Sequence, residues 1–143
     1  MVAISACLAG EECRYNATDS FNKSLMDSVG EAYIDICPEI LGGLPTPRPP
    51  CEIVGGEGKD VLAGRASIID CYGNDVTLAM LSGADQALNI CKSKQVKKTY
   101  LKQSSPTCGC GKIYDGSFSS VLKDGNGVFA ELLLSHGIEV IAI

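Results

Sequence analysis

Four short stretches carry the apolar or alternating pattern of strands. Val2–Ala6 (VAISA) and Tyr33–Ile36 (YIDI) stop at Cys7 and at Cys37-Pro38, while Val96–Lys102 (VKKTYLK) and Ile138–Ile143 (IEVIAI) are rich in β-branched residues. Between them the period changes to that of helices. Asp75 is placed to cap a helix over Val76–Lys92, with Leu78, Leu81, Ala84, Leu88 and Cys91 on one face. Shorter helices are expected over Phe21–Val29 and over Gly127–Ser135, the second ended by Gly137. Strands alternating with helices imply right-handed crossovers and a parallel sheet. The expected fold is a three-layer, Rossmann-like α/β domain with a small parallel sheet, spanning 1–143 as one unit. Two segments interrupt it. The proline- and glycine-rich stretch 41–64 reads as an excursion over the active edge, and ASIIDCYGNDVT reads as a small hairpin around Tyr72-Gly73-Asn74.

Composition narrows the partner. A chain of 143 residues buries a core without staples, so its eight cysteines are not needed to hold it together. Twelve basic against seventeen acidic residues give a net charge of −5, and the clustered bases Lys92, Lys94, Lys97 and Lys98 read as a solvated helix end. With no tryptophan to stack on bases, nucleic acid is not an expected ligand and a small molecule is. Met1–Ala6 has no basic leader, and no apolar run approaches the roughly 20 residues that cross a bilayer. A cytoplasmic protein without a membrane partner is expected. In a reducing compartment cysteine serves as buried hydrophobe, metal ligand or reactive thiol more often than as disulfide.

Position sorts the thiols. In parallel α/β sheets ligands bind beyond the carboxyl ends of the strands. Cys7 follows the first strand, Cys37 the second, and Cys108 lies in the loop KQSSPTCGCGKIYDG after VKKTYLK. Thiolates on glycine-rich loops suit soft metals, either zinc or an iron-sulfur cluster. No C-x2-C pair of the kind common in structural zinc sites occurs, which favours iron-sulfur. Cys71 and Cys91 read as buried hydrophobes, and Cys13, Cys51 and Cys110 as spectators or accessory thiols. Arg14 and Arg48 sit in motif loops, where they serve as surface charges or hold a substrate's carbonyl or phosphate. Glu39 fits a helix cap as well as a functional carboxylate, and Ser105 fits a turn before Pro106. Asp115 reads as a turn residue and His136 as a helix-end residue without a catalytic role.

The motifs SACLAGEECRYN, CPEILGGLPTPRPP and SSPTCGCGKIYDGSFS together resemble the thiouracil desulfidase family over essentially the whole chain. That resemblance implies a [4Fe-4S] cluster held by Cys7, Cys37 and Cys108, its fourth iron free to take the sulfur of a thiolated pyrimidine such as thiouracil. It also implies an acid/base pair at Glu39 and Ser105. The chemistry is consistent with hydrolytic, non-redox cleavage of a C–S bond. An open iron acts as a Lewis acid toward the thiocarbonyl, a carboxylate deprotonates water, and a hydroxyl donates to the leaving sulfur or a ring nitrogen. Cys13, Cys51 and Cys110 are additional thiols beside the motifs, and any of them on the fourth iron would silence the site. Two other readings stand beside the enzyme. One is a non-catalytic metal- or sulfur-binding module; the other is a thiol redox sensor using Cys108 and Cys110.

Overall fold

A computed structural model describes residues 1–143. In chain order the elements are β1 (Val2–Ser5), a 3-10 turn (Ala6–Ala9), α1 (Lys23–Val29), β2 (Tyr33–Ile36), α2 (Pro38–Leu41), β3 (Cys51–Val54), α3 (Gly58–Leu62), β4 (Ser67–Asp70), α4 (Thr77–Ser93), β5 (Lys98–Leu101), β6 (Lys112–Tyr114), β7 (Leu122–Asp124), α5 (Val128–Ser135) and β8 (Glu139–Ala142). The expected α/β architecture is present. Its centre is a four-stranded sheet in the order β2-β1-β5-β8, and every pairing in it is parallel. Successive residues of a strand face opposite sides. Ala3 therefore joins the core under α4 and α5, while its neighbour Ile4 packs with Leu8 and Leu25 of α1 on the other side. Helices on both faces make the three layers. Phe129 and Leu133 of α5 are fully buried, each worth about 1.5–3 kcal/mol of apolar transfer.

The long helix buries most of its expected face, with Leu81 packed at the edge of the core, but Leu78 is not part of it. Met80, Ala84, Ala87, Leu88 and Cys91 are buried, whereas Leu78 is 83% exposed. Leu78 precedes Ala87 by about two and a half turns at about 3.6 residues each, which puts it across the helix. The helix starts at Thr77, where Asp75 Oδ1 accepts the Thr77 N–H at 2.9 Å.

The expected hairpin is present but short, its arms joined by Asp70 N–H to the Asn74 carbonyl and Val76 N–H to the Ile68 carbonyl at 2.9 Å each. A tight turn does occur at Tyr72-Gly73-Asn74, held by the Asp70 carboxylate, which accepts the N–H groups of Tyr72 and Asn74 at 2.9 Å each. Beyond it lies a single bridge, Ile69 to Asp75, and the true partner of β4 is β3 in antiparallel register, Cys51 opposite Asp70. The returning strand is cut short because the Thr77 hydroxyl takes the Ile68 N–H at 2.9 Å, and helix α4 begins there. A second small antiparallel pair, β6 with β7, completes the chain's sheets. No helix is long and apolar enough to cross a membrane.

Candidate active site

Because β1, β2 and β5 run parallel, the segments that leave them emerge at one edge of the sheet. Cys7 lies in the 3-10 turn directly after β1, a turn closed by Gly10 at φ 103°. Cys37 is the extended N-cap of α2, and Pro38 supplies a first helical residue with no N–H to leave unpaired. Cys108 is set by Ser105, whose hydroxyl oxygen accepts the N–H groups of Cys108 at 2.7 Å and of Thr107 at 3.1 Å. The same loop rests on the start of α5. The carbonyls of Gly109, Pro106 and Thr107 accept the N–H groups of Gly127, Val128 and Phe129, donors that a helix N-terminus leaves without internal partners. A Cβ at Gly127 would stand 2.5 Å from the Thr107 carbonyl oxygen, so the close approach needs glycine.

These segments enclose a cleft of about 510 Å³. Its walls carry six thiols, Cys7, Cys13, Cys37, Cys51, Cys71 and Cys108. Glu39, Ser105, Arg14 and Arg48 line it too, so each residue singled out in the sequence as a ligand, acid/base or substrate-binding candidate reaches the same cleft. Cys110 does not. It packs against the main core, near Glu131. Cys91 is fully buried, as expected, but Cys71 is exposed at the cleft and is not the core residue it was read to be. Its turn projects from the end of β4, where no layer covers it.

Cys13 bears on two of the candidate ligands. It lines the cleft with Cys7 and Cys37 and influences the titration of both. The hydrogen bond from Cys13 lowers the Cys7 thiol below its ordinary range. Cys13 itself is lowered by its contact with Cys37, but its contact with Cys7 and its burial outweigh that and push it up to about 11. Cys37 is driven far up by its hydrogen bond with Cys13, by burial and by Glu39. Burial and the Glu39 carboxylate likewise raise Cys108, against the opposing influence of the neighbouring Ser5 and Thr107 hydroxyls.

Glu39 is 8% exposed and lies in the first turn of α2. The Thr107 hydroxyl makes a short hydrogen bond to its Oε1, and the Cys37 thiol approaches its Oε2 at 3.5 Å. Thr107 is fully buried and was not singled out in the sequence, although its place in a hydroxyl-rich run just before Cys108 was the available signal. Ser5 was missed as well. Its hydroxyl accepts the Lys102 N–H at 2.9 Å, tying the exit of β1 to that of β5 beside Cys108.

The two arginines differ. Arg48 is committed to backbone and loop, with Nη2 donating to the Cys13 carbonyl at 2.8 Å and Nη1 to Thr46 Oγ1 at 3.1 Å and the Pro45 carbonyl at 3.3 Å. Arg14 lies 6.0 Å from the Tyr15 ring centroid.

The donor set fits an iron-sulfur cluster. No three cysteine, histidine or carboxylate side chains converge as a single ion requires. A cluster asks for something else, sulfurs spread so that each meets a different iron. Cys37 and Cys108 are raised among buried groups and beside a carboxylate, and a cationic metal centre is what would favour their thiolates. A soft metal cluster is such a centre and takes the ligand type present here.

Together the fold and the cleft define a parallel α/β protein whose strand exits gather thiols around one buried carboxylate. Residues 2–143 match the family described as 2-thiouracil desulfurase, and the chain belongs to that family. It is similar to the protein YbbK of Bacillus subtilis (strain 168), described as uncharacterized, at 43% identity over 143 residues, covering 99% of this chain and 95% of YbbK. Among solved structures it is similar to the [4Fe-4S]-dependent thiouracil desulfidase TudS, with a TM-score of 0.84 and 36% identity over 99% of this chain and 89% of TudS. The family expected from the three sequence motifs is thus the family found.

Proposed function

We propose that this chain is a [4Fe-4S]-dependent desulfidase that exchanges the sulfur of thiouracil, or a similar thiolated pyrimidine, for oxygen from water. The observation that carries the reading is the meeting of Cys7, Cys37 and Cys108, from three separate strand exits, in one cleft with Glu39 and Ser105. Membership of the 2-thiouracil desulfurase family and the likeness to TudS support it. Cys7, Cys37 and Cys108 would hold the cluster, each as a thiolate.

When bound, the cluster supplies a Lewis-acidic iron that draws electron density from the thiocarbonyl carbon through its sulfur. The protein's part is to orient the pyrimidine and move protons. Glu39 accepts a proton from the attacking water, a task that suits a carboxylate held in place by neighbours. The proton that Glu39 takes from water passes on to the departing sulfur, and Ser105, 3.0 Å from the Thr107 hydroxyl, steadies that sulfur or a ring nitrogen by a hydrogen bond and keeps its own proton. Arg14 at the cleft wall holds the ring's carbonyl, while Arg48 shapes the wall through its loop contacts. The pyrimidine leaves with oxygen at the carbon that carried sulfur, and no electrons are exchanged.

The test is anaerobic reconstitution of the full chain with iron and sulfide, followed by measurement of sulfide release and of uracil formed from 2- and 4-thiouracil. Stoichiometric conversion is expected with the loaded protein and none without iron. A loaded protein that binds thiouracil and releases no sulfide overturns the enzymatic reading.

A further inference from the structure

We infer that Thr107 is the positioning residue of the proposed general base, the middle member of a directed hydroxyl chain Ser105–Thr107–Glu39. This rests on the reading of Glu39 as the base. The direction of the chain follows from counting protons. Thr107 has one hydroxyl proton, and the short hydrogen bond to Glu39 Oε1 takes it in preference to the Cys108 sulfur, which lies 3.8 Å away. Ser105 Oγ already accepts two backbone N–H groups, from Thr107 and Cys108, so its own proton goes to Thr107 Oγ1 at 3.0 Å. Both hydroxyls are then fully engaged, and both point along the chain toward the carboxylate.

The chain spans elements far apart in sequence. Thr107 and Glu39 are 68 positions apart, one on the loop after β5 and the other on α2. Thr107 is fully buried and Glu39 is 8% exposed, so water cannot readily replace the bond. The only other protein donor to Glu39 is the Cys37 thiol, at 3.5 Å from Oε2. A cysteine bound to iron is a thiolate and has no proton to donate. In the loaded enzyme the Thr107 hydroxyl is therefore the donor that remains to Glu39. It pins Oε1 and leaves Oε2 as the oxygen that meets water. A carboxylate without that pin turns about its terminal torsion, which is soft.

The test compares cluster-loaded Thr107→Val, Thr107→Ser and Glu39→Gln enzymes. Valine keeps the volume and removes only the hydroxyl. For Thr107→Val, kcat for thiouracil should fall about 10- to 100-fold, the usual penalty for losing a partner that orients a functional group. KM, iron content and the affinity for thiouracil read from the cluster's spectrum should stay at the parent's values. Serine should restore most of the rate. In a Glu39→Gln background the valine should cost little more, since residues acting as one unit are not additive. If Thr107→Val fails to fold, Thr107→Ala removes the same hydroxyl with less bulk and should show the same split. Parent-level kcat in the hydroxyl-free variants, an equal loss with serine, or an additive loss with Glu39→Gln overturns the inference. Loss of iron with unchanged turnover per cluster overturns it too, because Thr107 then supports the cluster alone. An active Glu39→Gln enzyme instead overturns the reading of Glu39 on which the inference rests.

Discussion

Arg48 donates from Nη2 to the carbonyl oxygen of Cys13 at 2.8 Å, joining residues 35 positions apart. The Arg48 N–H returns the contact by donating to the Tyr15 carbonyl at 2.7 Å, so the proline loop before β3 is laced to the segment that follows the 3-10 turn. One guanidinium thereby frames the wall that carries Cys13 and Cys51. Replacing it by alanine leaves carbonyl acceptors without partners, and the full-length protein should lose about 1–3 kcal/mol in urea denaturation under reducing conditions. Lysine should recover only part of that, since one ammonium does not reproduce the planar fork that reaches Cys13, Thr46 and Pro45 together. A role confined to substrate would leave the denaturation midpoint where it is.

Glu39 is held in register by a glycine on another helix. A Cβ built at Gly83 of α4 would stand 1.8 Å from the Pro38 carbonyl oxygen and 2.9 Å from the Gly42 nitrogen, so α2 lies directly on the α4 backbone. Gly83→Ala must push α2 away, carrying Cys37 and Glu39 with it. Overpacking of this kind costs about 1–3 kcal/mol. The expected outcome is a lower unfolding midpoint together with reduced iron uptake on reconstitution, measured on the same preparation.

Cys108 and Cys110 should behave oppositely. Only Cys108 lines the cleft, while Cys110 packs against the core on the other side of the loop. Cys108→Ser should abolish iron retention, and Cys110→Ser should leave iron content at the parent's level. Equal loss in both would show that both sulfurs reach the metal, leaving no open iron for substrate. The same pair of variants bears on the redox-sensor reading, which needs both thiols.

Glu39 and Ser105 should separate chemistry from scaffold. Glu39→Gln keeps the acceptor oxygen for Thr107 and removes the base, so turnover should fall about 10²- to 10⁴-fold with iron unchanged. Ser105→Ala removes the acceptor for the N–H groups of Cys108 and Thr107 as well as the proton at the head of the chain. Iron content and turnover per cluster should both fall. Iron analysis beside anaerobic sulfide-release assays distinguishes the two patterns.

Much of the fold was legible because it rests on local pattern. The four parallel strands and the three longer helices begin and end within about two residues of where periodicity and capping residues put them, an ordinary margin for helix and strand ends. Leu78 shows where the pattern misleads. A leucine at helical spacing from Leu81 and Leu88 reads as core, but the buried face also takes in Met80 and Ala87 and leaves Leu78 in solvent, and small residues such as Ala84 and Ala87 carry a weaker signal than leucine. The small hairpin at Tyr72-Gly73-Asn74 is present, but the longer pairing of its first strand was not legible. Turn residues announce a turn, but not which distant segment pairs with the strand before it, and here that segment is Cys51–Val54.

By itself the sequence determined the α/β class, the family, and the placing of Cys7, Cys37 and Cys108 just beyond strand ends, since each depends on residues near one another in the chain. Only the tertiary structure decided that Cys13 joins Cys7 and Cys37 in one cleft, that Cys71 reaches it and Cys110 does not, that Arg48 is spent on the Cys13 carbonyl, and that Thr107 donates to Glu39. Those contacts join loops that are neighbours because β1 lies between β2 and β5 in the sheet. Strand order is set by how whole faces bury their apolar surface, and no short window of sequence contains that information.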